Sequence, residues 1–282
     1  MNQPALYHRA DCAQRYSVEQ ILKKYSKLLQ WRSDGMDTLI DIGTGSGDVL
    51  KDFIYPLMPR KFDRLMGSDI STKMCNYAHE IFKSEPRCEF TVLDIATEEE
   101  LPIDLKGQFD HITSFYCLSW VQNQRQVLKN VYNLLRPESG DCLLAFPACS
   151  TVFHVHLLLS KSLKWSSYMA DVERFISPFN HTVNPHKKFA TMLRKAGFTD
   201  VKVELLQETY DYKTAEVFKD NMEAINPFVE RIPPHQYSEF LQDFYNTHLD
   251  LNLRHNIQPI SITTDLIVAY ARKIPRTSKN VK

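Results

Sequence analysis

Glycine is scarce in this chain: eight occur in 282 residues, where average usage of ~7% would give about twenty. Three of the eight, Gly43, Gly45 and Gly47, fall within five positions, directly after the apolar run Leu39-Ile40-Asp41-Ile42 and just before Asp48-Val49. An apolar strand that turns through such a loop into a helix lets backbone N–H groups approach a ligand closely, because no Cβ stands in the way. Strands of this kind are stable when buried on both faces of a parallel sheet, so strands and helices should alternate after the loop.

They do. β-rich runs at Thr38 to Ile42, Arg64 to Asp69, Phe90 to Asp94, Phe109 to Tyr116 and Asp141 to Phe146 are separated by helical patterns over 46–55, 71–84 and 124–135. Ser71 is the N-cap of the second helix, and the third ends before Arg136-Pro137. Further on, Asn184 and Pro185 read as N-cap and first residue of a helix closed by Gly197, followed by strands at Thr199 to Leu206 and Ser261 to Ala271. No repeat or low-complexity linker interrupts the pattern, so residues 1–282 form one α/β domain with its ligand-binding core at about 36–146.

Three segments exceed a minimal domain. Residues 148–183 and 209–259 are expected to be helical and to form an apolar cap, with aromatics such as Phe153, Trp165, Phe179, Tyr210, Tyr212 and Phe228 packing the extra helices and in part lining a pocket. A helix-like segment over about 1–30 offers Tyr16, Leu22, Leu28, Leu29 and Trp31 as buried positions. Lys+Arg 34 balance Asp+Glu 34, so no basic field is available for nucleic acid. No apolar run approaches the ~20 residues of a membrane span and the start is no signal peptide, so a cytoplasmic protein is expected. The six cysteines contain no C-x-x-C pair and imply neither zinc nor disulfides.

Acids follow the strands. Asp41 stands before the glycine loop, where a pyrophosphate would be repelled and an ammonium group welcomed. Asp69 ends the second run, where a carboxylate accepts from both hydroxyls of a ribose. Asp94, followed by Ile95, offers an acceptor and an aliphatic wall to a purine. A nicotinamide-dependent oxidoreductase is disfavoured, since its G-x-G-x-x-G fingerprint needs glycine where Asp48 stands. A ligand with an ammonium, a free ribose and an adenine but no phosphate is S-adenosylmethionine. The constellation resembles class I S-adenosylmethionine-dependent methyltransferases, which implies a Rossmann-like, seven-stranded, mostly parallel sheet. By that resemblance Asp41, Gly43 and Gly45 face the methionine part, Asp69 the ribose, Ile70 one side of adenine, Asp94 and Ile95 its other edge, and Ser114 the sulfonium.

The segment Ser114-Phe115-Tyr116-Cys117-Leu118-Ser119-Trp120 lacks the Asn/Asp-Pro-Pro-aromatic signature common in amino-directed methyltransferases. None of the ten histidines stands in a spacing that marks a base for hydroxyl methylation, and His154-x-His156 reads as two packing or surface residues. A carboxylic acid is already ionised at neutral pH and requires no base. Together with Phe109-Asp110-His111, Arg174 to Phe179, Ala224-Ile225-Asn226-Pro227-Phe228 and Ala269 to Lys273, this segment is similar to insect juvenile hormone acid methyltransferases along nearly the whole chain. The resemblance implies methylation of a small hydrophobic carboxylic acid, farnesoic acid or juvenile hormone acid, to its methyl ester, leaving S-adenosylhomocysteine. By analogy with plant carboxyl methyltransferases, Gln14 and Trp120 hold the acceptor carboxylate. One departure is Ser119, where family members often carry histidine. A non-catalytic or weakly active acid-binding paralogue is disfavoured by the intact acids and glycines, whereas a methyltransferase for another small carboxylic acid would use the same site.

Overall fold

The computed structural model describes residues 3–255, 257–258 and 260–274; Met1, Asn2, Asn256 and Pro259, which fall in the expected cap segments, lie outside the described residues. Seven strands form a single sheet in the order β3-β2-β1-β4-β5-β7-β6. β1 (Thr38–Ile42), β2 (Arg64–Asp69), β3 (Cys88–Val92), β4 (His111–Phe115) and the start of β5 (Asp141–Ser150) are mutually parallel. β7 (Ser261–Arg272) runs antiparallel between β5 and β6 (Thr199–Asp211). Every residue of β1 and β4 is buried. Their alternate side chains feed two cores: Ile40, Ile42 and Ile112 pack with Val127, Phe146 and Phe189 on one face, and Leu39 packs with Ile21, Leu50 and Leu143 on the other.

The helices follow their sequence signals. α3 (Thr72–Ile81) opens on Ser71, whose hydroxyl accepts from Met74 N, and α4 (Gln124–Leu134) opens on Asn123. α6 (Pro185–Ala196) closes on Gly197 at φ 108°, but Asn184 adopts a left-handed conformation and its side chain makes no cap bond, so Pro185 alone marks the start. The segment after the glycine loop departs from the expected α-helix over 46–55: it winds as a π turn over Leu50–Ile54 and a 3₁₀ turn over Tyr55–Leu57. Pro56 lacks the N–H that would have continued the α pattern.

The two expected cap segments are helical only in part. β5 continues to Ser150 and β6 to Asp211, because β7 supplies partners that far out, pairing Ser150 with Thr264 and Asp211 with Ser261. β5, β6 and β7 thus run for 10, 13 and 12 residues, against 5 or 6 in β1 to β4. This three-stranded arm stands beyond the ends of the parallel strands. On it sit α5 (Thr151–Leu159), two 3₁₀ turns over Ser166–Tyr168 and Val172–Phe175, α7 (Ala215–Ile225) and α8 (Pro234–Arg254). Trp165, Phe218, Phe228, Phe240 and Phe244 are buried together as a core of the cap, whereas Phe179 packs on Phe146 and Phe189 beside the sheet. His156 is buried between Phe228 and Phe244, where burial pulls its pKa down to about 3, and His154 meets Cys149 Sγ at 3.6 Å.

The N-terminal segment is two helices, α1 (Pro4–Ala10) and α2 (Cys12–Tyr25), turning at Asp11. α2 buries Gln14, Ser17, Val18, Ile21, Leu22 and Tyr25, a stripe at helical spacing. Tyr16 lies off that stripe, 46% exposed with its ring against Tyr210, and so is not the core residue expected of it; Leu22 and Leu29 are buried.

Candidate active site

A cavity of about 700 Å³ opens where β1, β2 and β4 end. Gly43, Gly45, Asp69, Ile70, Asp94, Ile95, Gln14 and Trp120 all line it, although they come from α2 and from four strand ends and the segments after them. The extended arm forms a further wall through Pro147, Ser150, Glu208, Tyr210, Ile262 and Thr264, with Phe153, Tyr212 and Ile225 from the cap around it.

The glycine loop is folded by its own backbone: Gly43 N and Thr44 N both donate to Ser68 O, at 2.8 and 2.9 Å. Gly43 has φ 73°, and a Cβ there would lie 2.4 Å from Cys117, so any other residue would push the segment after β4 out of the cavity wall. Gly47, at φ 81°, sits 2.8 Å in the same sense from Ala78 of α3. The loop also anchors the N-terminal helices. Asp48 is buried and accepts from Ser46 Oγ at 2.5 Å and Arg15 Nη1 at 2.7 Å. Burial, and then the neighbouring Asp48 carboxylate, push the Asp11 carboxyl well above the ordinary range, so that Asp11 keeps its proton at neutral pH.

Asp69 is held by two backbone donors, Gly45 N to Oδ2 at 3.0 Å and Ser71 N to Oδ1 at 2.9 Å. A carboxylate has about four lone-pair sites, so each oxygen retains one for a diol. Asp94 lies two residues beyond the end of β3 and accepts from Ala96 N at 2.8 Å. Ile95 is buried, but Ile70 is 69% exposed on the cavity rim, an apolar face no core residue would show. Asp41 and Ser114 do not line the large cavity. Ser114 Oγ donates to Ile42 O at 2.8 Å, tying β4 to β1. Asp41 faces a chamber of about 20 Å³ that shares Tyr7, Gln14, Gly43, Phe115 and Tyr116 with the cavity. Burial pushes the Asp41 carboxyl up to about 7, against the hydrogen bond it accepts from Thr113 Oγ1 at 2.7 Å.

Gln14 is buried in α2 with its Oε1 accepting from Asn221 Nδ2 at 3.1 Å. Trp120 ends a 3₁₀ turn over Leu118–Trp120, its ring edge-on to Phe153 at 6.3 Å. No described residue accepts from Gln14 Nε2 or Trp120 Nε1, so two N–H donors are available on the wall. Tyr116, just before, has φ 57°, a backbone strain of order 1–3 kcal/mol for such a residue, held by its N–H donating to Ala145 O. Tyr7, Ser17, Glu208 and Asn221 also line the cavity, with Ser17 Oγ donating to Glu208. Sequence reading passes over these four because no local motif links α1, α2, β6 and α7; Asp48, an acid inside a glycine loop, did carry a signal.

A family model described as a methyltransferase domain matches residues 40–140. The chain is 45% identical over 285 residues to the juvenile hormone acid O-methyltransferase of Drosophila melanogaster, spanning 100% of this chain and 95% of that protein. It is 35% identical over 281 residues to the juvenile hormone acid O-methyltransferase of Bombyx mori, spanning 97% and 98%. Among solved structures, the YcgJ protein of Bacillus subtilis matches with a TM-score of 0.58 at 14% identity, over 90% of this chain and 98% of that one. Phosphoethanolamine N-methyltransferase 2 of Haemonchus contortus, solved with phosphomonomethylethanolamine and S-adenosylhomocysteine, matches with a TM-score of 0.53 at 17% identity, over 90% and 53%. At these identities the structures share the fold.

Proposed function

We propose that this chain, which belongs to the juvenile hormone acid O-methyltransferase family, esterifies the carboxylate of a farnesoic-type isoprenoid acid, farnesoic acid or juvenile hormone acid. It is an S-adenosylmethionine-dependent O-methyltransferase. The acceptor and the roles of individual residues rest on the cavity. The observation that carries them is one cavity lined at once by the strand-end acids Asp69 and Asp94, by aromatic and aliphatic side chains, and by Gln14 and Trp120, two residues with side-chain N–H donors.

The residues present fit the cofactor. Asp41 is a buried carboxyl beside the glycine loop that a cationic ammonium would favour in its ionised form, Asp69 has lone pairs left for a ribose diol, and Ile70 offers an exposed apolar face to an adenine. S-adenosylmethionine supplies an electrophilic methyl group on a sulfonium. Gln14 and Trp120 hold the acceptor carboxylate by one N–H each, which orients an oxygen for in-line attack and leaves no proton to be removed. The wall of Phe153, Tyr212, Ile225 and Ile262 excludes water, so the acid's carboxylate is stripped of solvation and its tail is buried. Apolar contact along the tail stabilises binding by roughly 25 cal/mol per Å² buried.

Asp41 makes cofactor affinity depend on pH. A cation beside it lowers its pKa from about 7, so binding releases a proton. Affinity for S-adenosylhomocysteine should therefore rise with pH, by up to tenfold per unit below the free-state pKa, and level off above about 7. Titration calorimetry between pH 5.5 and 7.5 reads this directly, and Asp41→Asn should flatten the profile. A flat wild-type profile would show that no cation sits against Asp41.

The substrate reading is tested by mass-spectrometric detection of methyl ester from a panel of farnesoic, epoxy-farnesoic and straight-chain fatty acids. Ester from the isoprenoid acids is expected. Ester from straight-chain acids alone would overturn the substrate class, and none from any acid would indicate a binding protein.

A further inference from the structure

Asn221 of α7 is fully buried where the cavity meets α1 and α2, and both of its N–H bonds are used. Nδ2 donates to the Ala10 carbonyl at 2.5 Å and to Gln14 Oε1 at 3.1 Å, while Oδ1 accepts from the Tyr212 hydroxyl at 2.5 Å. The direction of this amide follows from its partners. A backbone carbonyl can only accept, so the group facing Ala10 is the NH₂, and the Tyr212 O–H meets the oxygen. The second N–H of Asn221 then reaches Gln14, whose facing atom must be its own oxygen. Gln14 Nε2 is left on the other side of its amide, on a residue that lines the cavity.

We infer that Asn221 is a positioning residue that sets which way the Gln14 amide faces. The inference rests on Gln14 holding the acceptor carboxylate. An amide without Asn221 can turn its oxygen toward that carboxylate, which replaces a charge-assisted hydrogen bond by repulsion and adds the entropy of fixing a rotamer at the moment of binding. Asn221 has no hydrogen left to give the acid, so it acts through Gln14. A bland alternative is that Asn221 merely staples α7 to the turn at Ala10, and a double-mutant cycle separates the two.

Asn221→Ala and the near-isosteric Asn221→Asp are each made alone and together with Gln14→Ala, and kcat/KM for farnesoic acid is measured beside the thermal shift given by S-adenosylhomocysteine. Each single Asn221 variant should lose about tenfold in kcat/KM, the loss of one oriented hydrogen bond, while the thermal shift persists. In the Gln14→Ala background the same changes should cost less than about twofold. Losses that multiply in full, or a thermal shift abolished in both single variants, would make Asn221 a residue of the fold and overturn the inference. A Gln14→Ala enzyme at wild-type kcat/KM is a different failure: it removes the carboxylate clamp itself.

Discussion

Gln14→Glu should lower kcat/KM for farnesoic acid by about two orders of magnitude or more and leave the affinity for S-adenosylhomocysteine nearly unchanged. The substitution keeps the shape of the side chain and an oxygen to accept from Asn221 Nδ2. It converts the other end from an N–H donor to an anionic oxygen. Loss of a hydrogen bond to a charged group costs roughly 1.5–3 kcal/mol, and two carboxylates brought together at a partly shielded site add about 1–4 kcal/mol of repulsion. Trp120→Phe isolates the second donor. It keeps a ring against Phe153 and removes the indole N–H, for an expected loss of about ten- to a hundredfold. If both variants turned over farnesoic acid at the wild-type rate, the carboxylate would have to be held elsewhere on the wall, with Tyr116 and Ser119 the next residues to test.

The second large effect is on stability, at the opposite end of the sheet. His111 opens β4 with Nδ1 2.6 Å from Asp141 Oδ1 and Nε2 2.9 Å from Asp37 Oδ1, all three side chains being buried and the ring edge-on to Trp31. Burial lowers the imidazole pKa, but the hydrogen bonds to Asp141 and Asp37 outweigh it and raise it to about 9. Two ring nitrogens against two carboxylates require both to be donors, so the residue is an imidazolium at neutral pH. His111→Leu leaves two buried carboxylates without their cation, which costs about 3–5 kcal/mol. In a chain of this size that is a fall in Tm of the order of ten degrees. The sign of the pH dependence follows from the raised pKa. A histidine whose pKa rises from 6.5 to about 9 on folding contributes its stabilisation in full below pH 6.5 and loses it as pH climbs through about 9. The Tm of the wild type should therefore fall toward that of His111→Leu between pH 6.5 and 9.5 in calorimetry. A difference that stayed constant over this range would show that the imidazole is neutral in the fold.

Much of the architecture was legible because its signals are local. The run Leu39 to Ile42, the three glycines after it and the alternation as far as Asp141 are properties of neighbouring residues, and β1 to β5 begin within two residues of the runs that announced them, as do α3 and α4. The acids Asp69 and Asp94 were visible for the same reason: a residue at or just past the end of a parallel strand faces the ligand edge whatever surrounds it. Tyr16 was misplaced because it lies within α2 off the stripe of Gln14, Ser17, Val18, Ile21, Leu22 and Tyr25, a face fixed only by where α2 packs. The outer ends of β5 and β6 were read as helical because what makes them strands is β7, whose partners stand 50 or more positions away along the chain.

The sequence by itself therefore determined the parallel sheet, the glycine loop and the strand-end carboxylates. The tertiary structure decided the rest of the site. It swung Gln14 on α2 against Asn221 on α7, 207 positions apart, turned Ser114 inward to bind Ile42 O, and raised an antiparallel arm to wall a cavity that no contiguous segment encodes. Local propensity specifies elements and their ends, whereas a cavity is the space left between elements. Its shape follows from which distant faces bury each other, and that is settled by packing.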